Sequence, residues 1–183
     1  MNLLEWIAAI SGILGVYLTI KQKLSSWPVE LVAIIITGYL FFKQDLLGNM
    51  WLQVFYFVSS IYGWLVWRFN NRVREMVVIR LTFFSTFFLL LATAVQAGIY
   101  YFLLLRFNGH SPLLDSVLTA SSVTATFMMA QKYIENWIAW IFIDLLYVVF
   151  LAQQKLILLA GLSFVFSCMA VYGYVSWKKI KKI

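Results

Sequence analysis

Charge is scarce in this sequence. Of 183 residues only 11% are Asp, Glu, Lys or Arg, against about 25% in a soluble domain. With 63% hydrophobic residues, so short a chain cannot hide its apolar surface in a water-soluble fold. One histidine, His110, and one cysteine, Cys168, exclude an intrachain disulfide and leave no cluster able to hold a metal. No glycine-rich phosphate loop occurs, and no serine in an apolar run has an evident base partner. An ATP-driven pump and an enzyme are therefore not expected, nor is a cofactor. Both prolines, Pro28 and Pro112, stand near the start of an apolar run, where a missing N–H does least harm. The net charge of +7 does not imply nucleic acid, because the basic residues fall between apolar runs and at the C-terminus. The partner implied is the lipid bilayer. The first apolar run begins beside Glu5 with no basic flank or clear cleavage site, so it is read as a retained span.

Seven runs are long and apolar enough to cross a membrane as helices, at about 3–20, 28–44, 49–67, 77–105, 112–131, 137–153 and 156–177. Helix is the default, since backbone groups in lipid must pair within their own segment. With seven spans, one side receives three basic residues, Lys43, Arg106 and Lys155, and the other receives the remaining eleven. The positive-inside rule puts those eleven in the cytoplasm, with the N-terminus outside and the C-terminus inside. The arginines after Trp67 and the C-terminal lysines read most simply as topology determinants.

The chain also repeats itself. Shifted by 110 residues, Trp27 falls on Trp137, and Tyr62, Gly63 and Trp67 fall on Tyr172, Gly173 and Trp177. The expected fold is thus an all-α integral membrane protein forming a single transmembrane domain. It has a three-helix repeat in 1–70, a linking fourth helix in 77–106 and a second three-helix repeat in 111–180. Three crossings plus one linking crossing make the repeats parallel, related by an axis along the membrane normal. Transporters use such plans, with substrate held between the repeats. Tyr62, Gly63, Trp67, Tyr172, Gly173, Trp177 and Trp27 are expected to pack the repeats together or gate the path.

Of seven acids, six lie in loops or within a turn or two of a span end; Asp144 alone is expected deep in a span. At 1.5 Å rise it lies ~10 Å past Trp137. A carboxylate there costs on the order of 3 kcal/mol by insertion scales, so function is the default reading. The plainer alternative is a bond to a neighbouring helix that only fixes packing. Trp137, Trp140, Asp144 and Tyr147 share one helix face, offering two indoles, a negative charge and a phenol. That combination suits a flat organic cation. Trp137 alone could be an interfacial anchor. Gln53, Tyr56, Ser60 and Trp64 line a second polar face, and Asp115, Thr119, Ser122 and Thr126 a third. Ser and Thr there could serve only as glue between helices.

The segments WPVELV, LLGNMWLQVFYFVSSIYGWLVW, ENWIAWIFIDLLYVV and YGYVSWKK resemble the PnuC-type bacterial vitamin transporters over nearly the whole chain. The resemblance implies a seven-helix plan like that of the sugar-transporting SWEET proteins. It also implies carriage of nicotinamide riboside, thiamine or riboflavin across the inner membrane by facilitated diffusion. A cytoplasmic kinase or pyrophosphokinase then traps the vitamin, and homotrimers are implied as well. The family's WxxW motif matches Trp137 and Trp140. Members that carry nicotinamide riboside tend to have Asn where this chain has Asp144, which tilts the expectation towards the thiamine-type branch. Nicotinamide riboside is the alternative, and riboflavin, being neutral, gains least from the acid. The expected substrate-binding set is Trp137, Trp140, Asp144, Tyr147, Gln53, Tyr56, Trp64, Thr119 and Ser122. A non-transporting assembly subunit is the reading from another class; in it Asp144 would be a bond between helices.

Overall fold

The computed structural model describes residues 3–43, 47–69, 78–106, 112–153 and 157–180. Asp45, Arg72, Arg74, Glu75, His110, Lys155, Lys181 and Lys182 lie outside them. Seven helices follow one another: α1 (Leu3–Ile20), α2 (Ser26–Lys43), α3 (Leu47–Phe69), α4 (Phe83–Arg106), α5 (Pro112–Ala130), α6 (Glu135–Gln153) and α7 (Ile157–Lys178). Six are long and apolar enough to cross a membrane; α3, which carries Gln53, Ser59, Ser60 and Arg68, is not among the six. Phe83, Phe88, Phe102, Phe142 and Leu158 all face outward, while Ser122, Asn136 and Asp144 are buried. Apolar outside and polar inside is the arrangement lipid selects.

Helix α4 starts later than its apolar run. The run begins at 77, but residues 78–82 are not helical, and Ile79 pairs in parallel with Tyr133. Ile79 N–H donates to Lys132 O (3.1 Å), Ile134 N–H donates to Ile79 O (3.0 Å), and Leu81 N–H donates to the Glu135 carboxylate (3.1 Å). The β-branched pair Val78–Ile79 suits an extended backbone, and the loop after α5 supplies its bonding partners. From Phe83 onward α4 packs mainly on α5 and buries none of its residues.

The core sits at one end of the bundle, where α1, α3, α5 and α7 finish and α2 and α6 begin. Ile20, Trp27, Trp67, Val78, Met129, Ala130, Ile134, Trp137, Ala170 and Trp177 form one cluster there. Its contacts recur at the 110-residue spacing. Trp27 meets Trp67 edge-on (5.4 Å, 89°), and Trp137 meets Trp177 likewise (5.2 Å, 88°). Gly63 lies against the Trp27 ring and Gly173 against the Trp137 ring. The Trp67 indole N–H donates to Ala130 O (3.0 Å), and that of Trp177 donates to Ile20 O (3.1 Å). The second tryptophan of each pair thus reaches across to the other half of the chain. Gln22 and Lys132, also 110 apart, share a left-handed backbone, with φ of 52° and 58°. Side chains other than glycine tolerate that region poorly, so the fold holds both turns in place.

Tyr62 and Tyr172 break the pattern. The Tyr62 hydroxyl accepts from Gln131 Nε2 (2.7 Å), and its ring stacks on Phe127 (6.0 Å, 13°). Tyr172, by contrast, points outward and is half exposed.

Candidate substrate-binding site

Above the tryptophan cluster, three helices bring polar side chains to one seam. Helix α6 contributes Asp144 and Tyr147, α5 contributes Ser122, and α3 contributes Tyr56. The Tyr56 and Tyr147 hydroxyls lie within reach of each other and of Ser122, and the Asp144 charge bears on both phenols. Asp115, on the same face of α5 as Ser122, bears on Tyr147 from the far side. Along the helices Trp140 lies ~6 Å below Asp144, Tyr147 ~4.5 Å above it, and Asp115 ~10 Å above Ser122. From the core end outward, the seam therefore presents an indole, an acid, two phenols with a serine, and a second acid.

Asp144 is 7% exposed, and among the described residues no basic side chain pairs with it. A buried carboxylate normally has a partner, so this one favours an incoming cation. One further group is poised in the same way. Trp140 Nε1 is buried with no hydrogen-bond partner among the described residues. Buried polar atoms are nearly always bonded, and atoms that are not can serve a guest. Trp140 packs against both the tryptophan cluster and the smaller group of Leu118, Ala125 and Ile143, so it floors the seam.

The sequence-selected residues divide between seam and core. Asp144, Tyr147, Tyr56, Ser122 and Trp140 come together. Thr119 is half-buried on the same helix as Ser122 and one turn away. Trp137 is 1% exposed and wedged between Trp177 and Gly173, so it belongs to the core cluster. Trp64 packs on that cluster too, with the Arg68 guanidinium over its ring (5.2 Å). Gln53 sets its stem against Gly38 and lines an apolar groove of about 340 Å³ between α2 and α3, away from the seam. Thr126 spends its hydroxyl on Ser122 O (2.9 Å) within its own helix. Ser60 is buried.

Asp144 is not the sole acid inside the bundle. Glu30 on α2 accepts a hydrogen bond from Thr19 (3.0 Å) and packs against Gly15. Its signal was the glycine: a residue without a side chain on α1 makes room for one that must be held. Lys132 and Gln22, at the core end, were likewise missed as a pair. The Lys132 ammonium donates to Gln22 Oε1 (2.7 Å) and lies 4.6 Å above the Trp67 ring. Burial pulls its pKa down to about 8.

Comparisons with known proteins agree with the all-helical membrane architecture. The family model described as "Nicotinamide mononucleotide transporter" matches residues 2–179. The chain is similar to the nicotinamide riboside transporter PnuC of Escherichia coli (strain K12), at 26% identity over 95% of this chain and 85% of that one. It is similar also to the nicotinamide riboside transporter PnuC of Haemophilus influenzae, at 28% identity over 98% of this chain and 80% of that one. Among solved structures it is similar to a crystal structure of the vitamin B3 transporter PnuC. The TM-score is 0.78, with 26% identity over 96% of this chain and 80% of that one.

Proposed function

Because the chain belongs to this family of multi-pass PnuC-type vitamin transporters, we propose that it takes up nicotinamide riboside by facilitated diffusion. The observation that carries the reading is Asp144, buried with no basic side chain beside it among the described residues and set between an indole and two phenols. Nicotinamide riboside brings a flat pyridinium to Trp140 and the acid, and sugar hydroxyls to Tyr56, Tyr147 and Ser122. The lean towards thiamine that Asp144 gave from sequence gives way here. Both vitamins carry a cationic aromatic ring, so the acid does not choose between them, and the relatives' names favour nicotinamide riboside. Riboflavin lacks the charge that the acid would reward.

The protein then sits in the bacterial inner membrane with its N-terminus outside, as the basic residues ask. Two parallel three-helix units, α1–α3 and α5–α7, pack about an axis along the membrane normal, with α4 linking them. The contacts that recur at 110 residues support that plan. A homotrimer, and trapping of the vitamin by a cytoplasmic kinase, complete the reading.

Titration calorimetry of purified protein with nicotinamide riboside, thiamine and riboflavin tests it. Nicotinamide riboside should bind tightest, and tighter binding of either competitor would replace it as the substrate. The two tryptophans of the WxxW motif should separate in the same assay. Trp140→Ala should weaken binding about tenfold or more, as expected for a stacked aromatic anchor. Trp137→Ala should mainly lower thermal stability, since it opens a cavity beside Gly173. Loss of affinity in Trp137→Ala with full stability would put that ring in the site.

A further inference from the structure

Lys132 and Gln22 occupy an unusual place. They are equivalent positions of the 110-residue spacing, both left-handed, and their side chains meet each other. Lys132 is 2% exposed and Gln22 5%. On either side of them run the two reciprocal bonds, Trp67 to Ala130 O and Trp177 to Ile20 O. The first three helices and the last four are thus pinned together at this end by a lysine–glutamine pair set among tryptophans. The seam that ends at Trp140 stops directly above. A ligand leaving the seam in this direction meets a layer of indoles and then the Lys132–Gln22 pair.

Resting on the transport reading, we propose that Lys132 and Gln22 form the latch of an inner gate, which parts each time substrate passes to the cytoplasm. The chemistry suits a latch. The ammonium meets the first half of the chain through the Gln22 amide oxygen and the Trp67 ring, while the other half of that amide, Gln22 Nε2, is buried without a partner among the described residues. A contact that leaves a buried donor unspent is cheaper to open than a fully bonded one. The main-chain turns at 22 and 132 and the tryptophan edges keep the two halves in register when the pair separates.

A cysteine reporter tests the latch without reference to substrate. Ser26, fully buried at the start of α2, becomes Ser26→Cys in a Cys168→Ser background and is reacted with a membrane-impermeant maleimide in inside-out vesicles. Lys132→Met should raise the labelling rate at least tenfold, because it keeps the stem and removes the bond. Gln22→Glu supplies a carboxylate to the ammonium, so it should slow labelling. It should also slow exchange of radiolabelled nicotinamide riboside at least fivefold, with calorimetric affinity within twofold of the parent. That retained affinity shows that the variant is folded. Unchanged labelling in Lys132→Met, faster labelling only from the outer face, or parental labelling in Gln22→Glu would overturn the latch. If no variant binds or exchanges nicotinamide riboside, parent included, while labelling follows the pattern above, the substrate reading fails and the latch stands.

Discussion

Asp144→Asn should lower the affinity for nicotinamide riboside about 10- to 100-fold. Hydrogen bonds and contacts to a charged group contribute about 1.5–3 kcal/mol, and each 1.4 kcal/mol is tenfold in affinity. Asp144 is the acid at the heart of the seam, and no basic side chain among the described residues competes with the ligand's positive charge for it. Asparagine has nearly the same volume and is cheaper to bury than a carboxylate. Expression and thermal stability should therefore hold or improve while binding falls. The reduced, uncharged dihydronicotinamide riboside supplies the control, and its affinity should change less than threefold. Calorimetric titration of both ligands into both proteins reads the difference. Equal affinity of the charged form for the two proteins would remove the charge role from Asp144.

The second large effect concerns glycine. A methyl group at Gly173 would stand 2.7 Å from the Trp137 ring, and one at Gly63 would press into the Trp27 ring. Neither ring can retreat, since each is 1% exposed and held edge-on by a second tryptophan. Gly63→Ala and Gly173→Ala should each cost about 1–3 kcal/mol or more through overpacking, seen as a marked fall in the detergent melting midpoint. Gly98→Ala and Gly161→Ala meet no atom within 4 Å and should be neutral or slightly stabilising. Pairing Gly63→Ala with Trp27→Phe should restore part of the loss. Equal melting of all four single variants would mean that the tryptophans do not depend on the glycines.

Helix placement was largely readable from hydropathy, because each helix except α4 begins and ends within a few residues of its apolar run. The exception is instructive. Val78 and Ile79 are as apolar as a span, and hydropathy cannot tell a helix from an edge that pairs with the loop before α6. The recurrence of contacts at 110 residues was readable where residue types match, as for Trp27 with Trp137 and Gly63 with Gly173. It was not readable at Gln22 and Lys132, whose likeness lies in backbone and position. Spacing on α6 put Trp137, Trp140 and Asp144 on one face, which is right as geometry. Depth separates them: Trp137 is held by Trp177, while Trp140 faces the seam. Glu30 was set aside as an acid close to a helix end, yet Gly15 and Thr19 hold it inside the bundle. Distance from a helix end measures depth only along the axis and says nothing of what stands opposite.

The short backbone splice between Ile79 and the 132–134 turn has a mechanical outcome. It fastens the lead-in of α4 to the turn that carries Lys132, and Leu81 is tethered to Glu135 as well. With α4 already lying along α5, the linker cannot float between two equal partners. Any motion between the two parts would therefore divide the bundle unequally, with three helices on one side and four on the other.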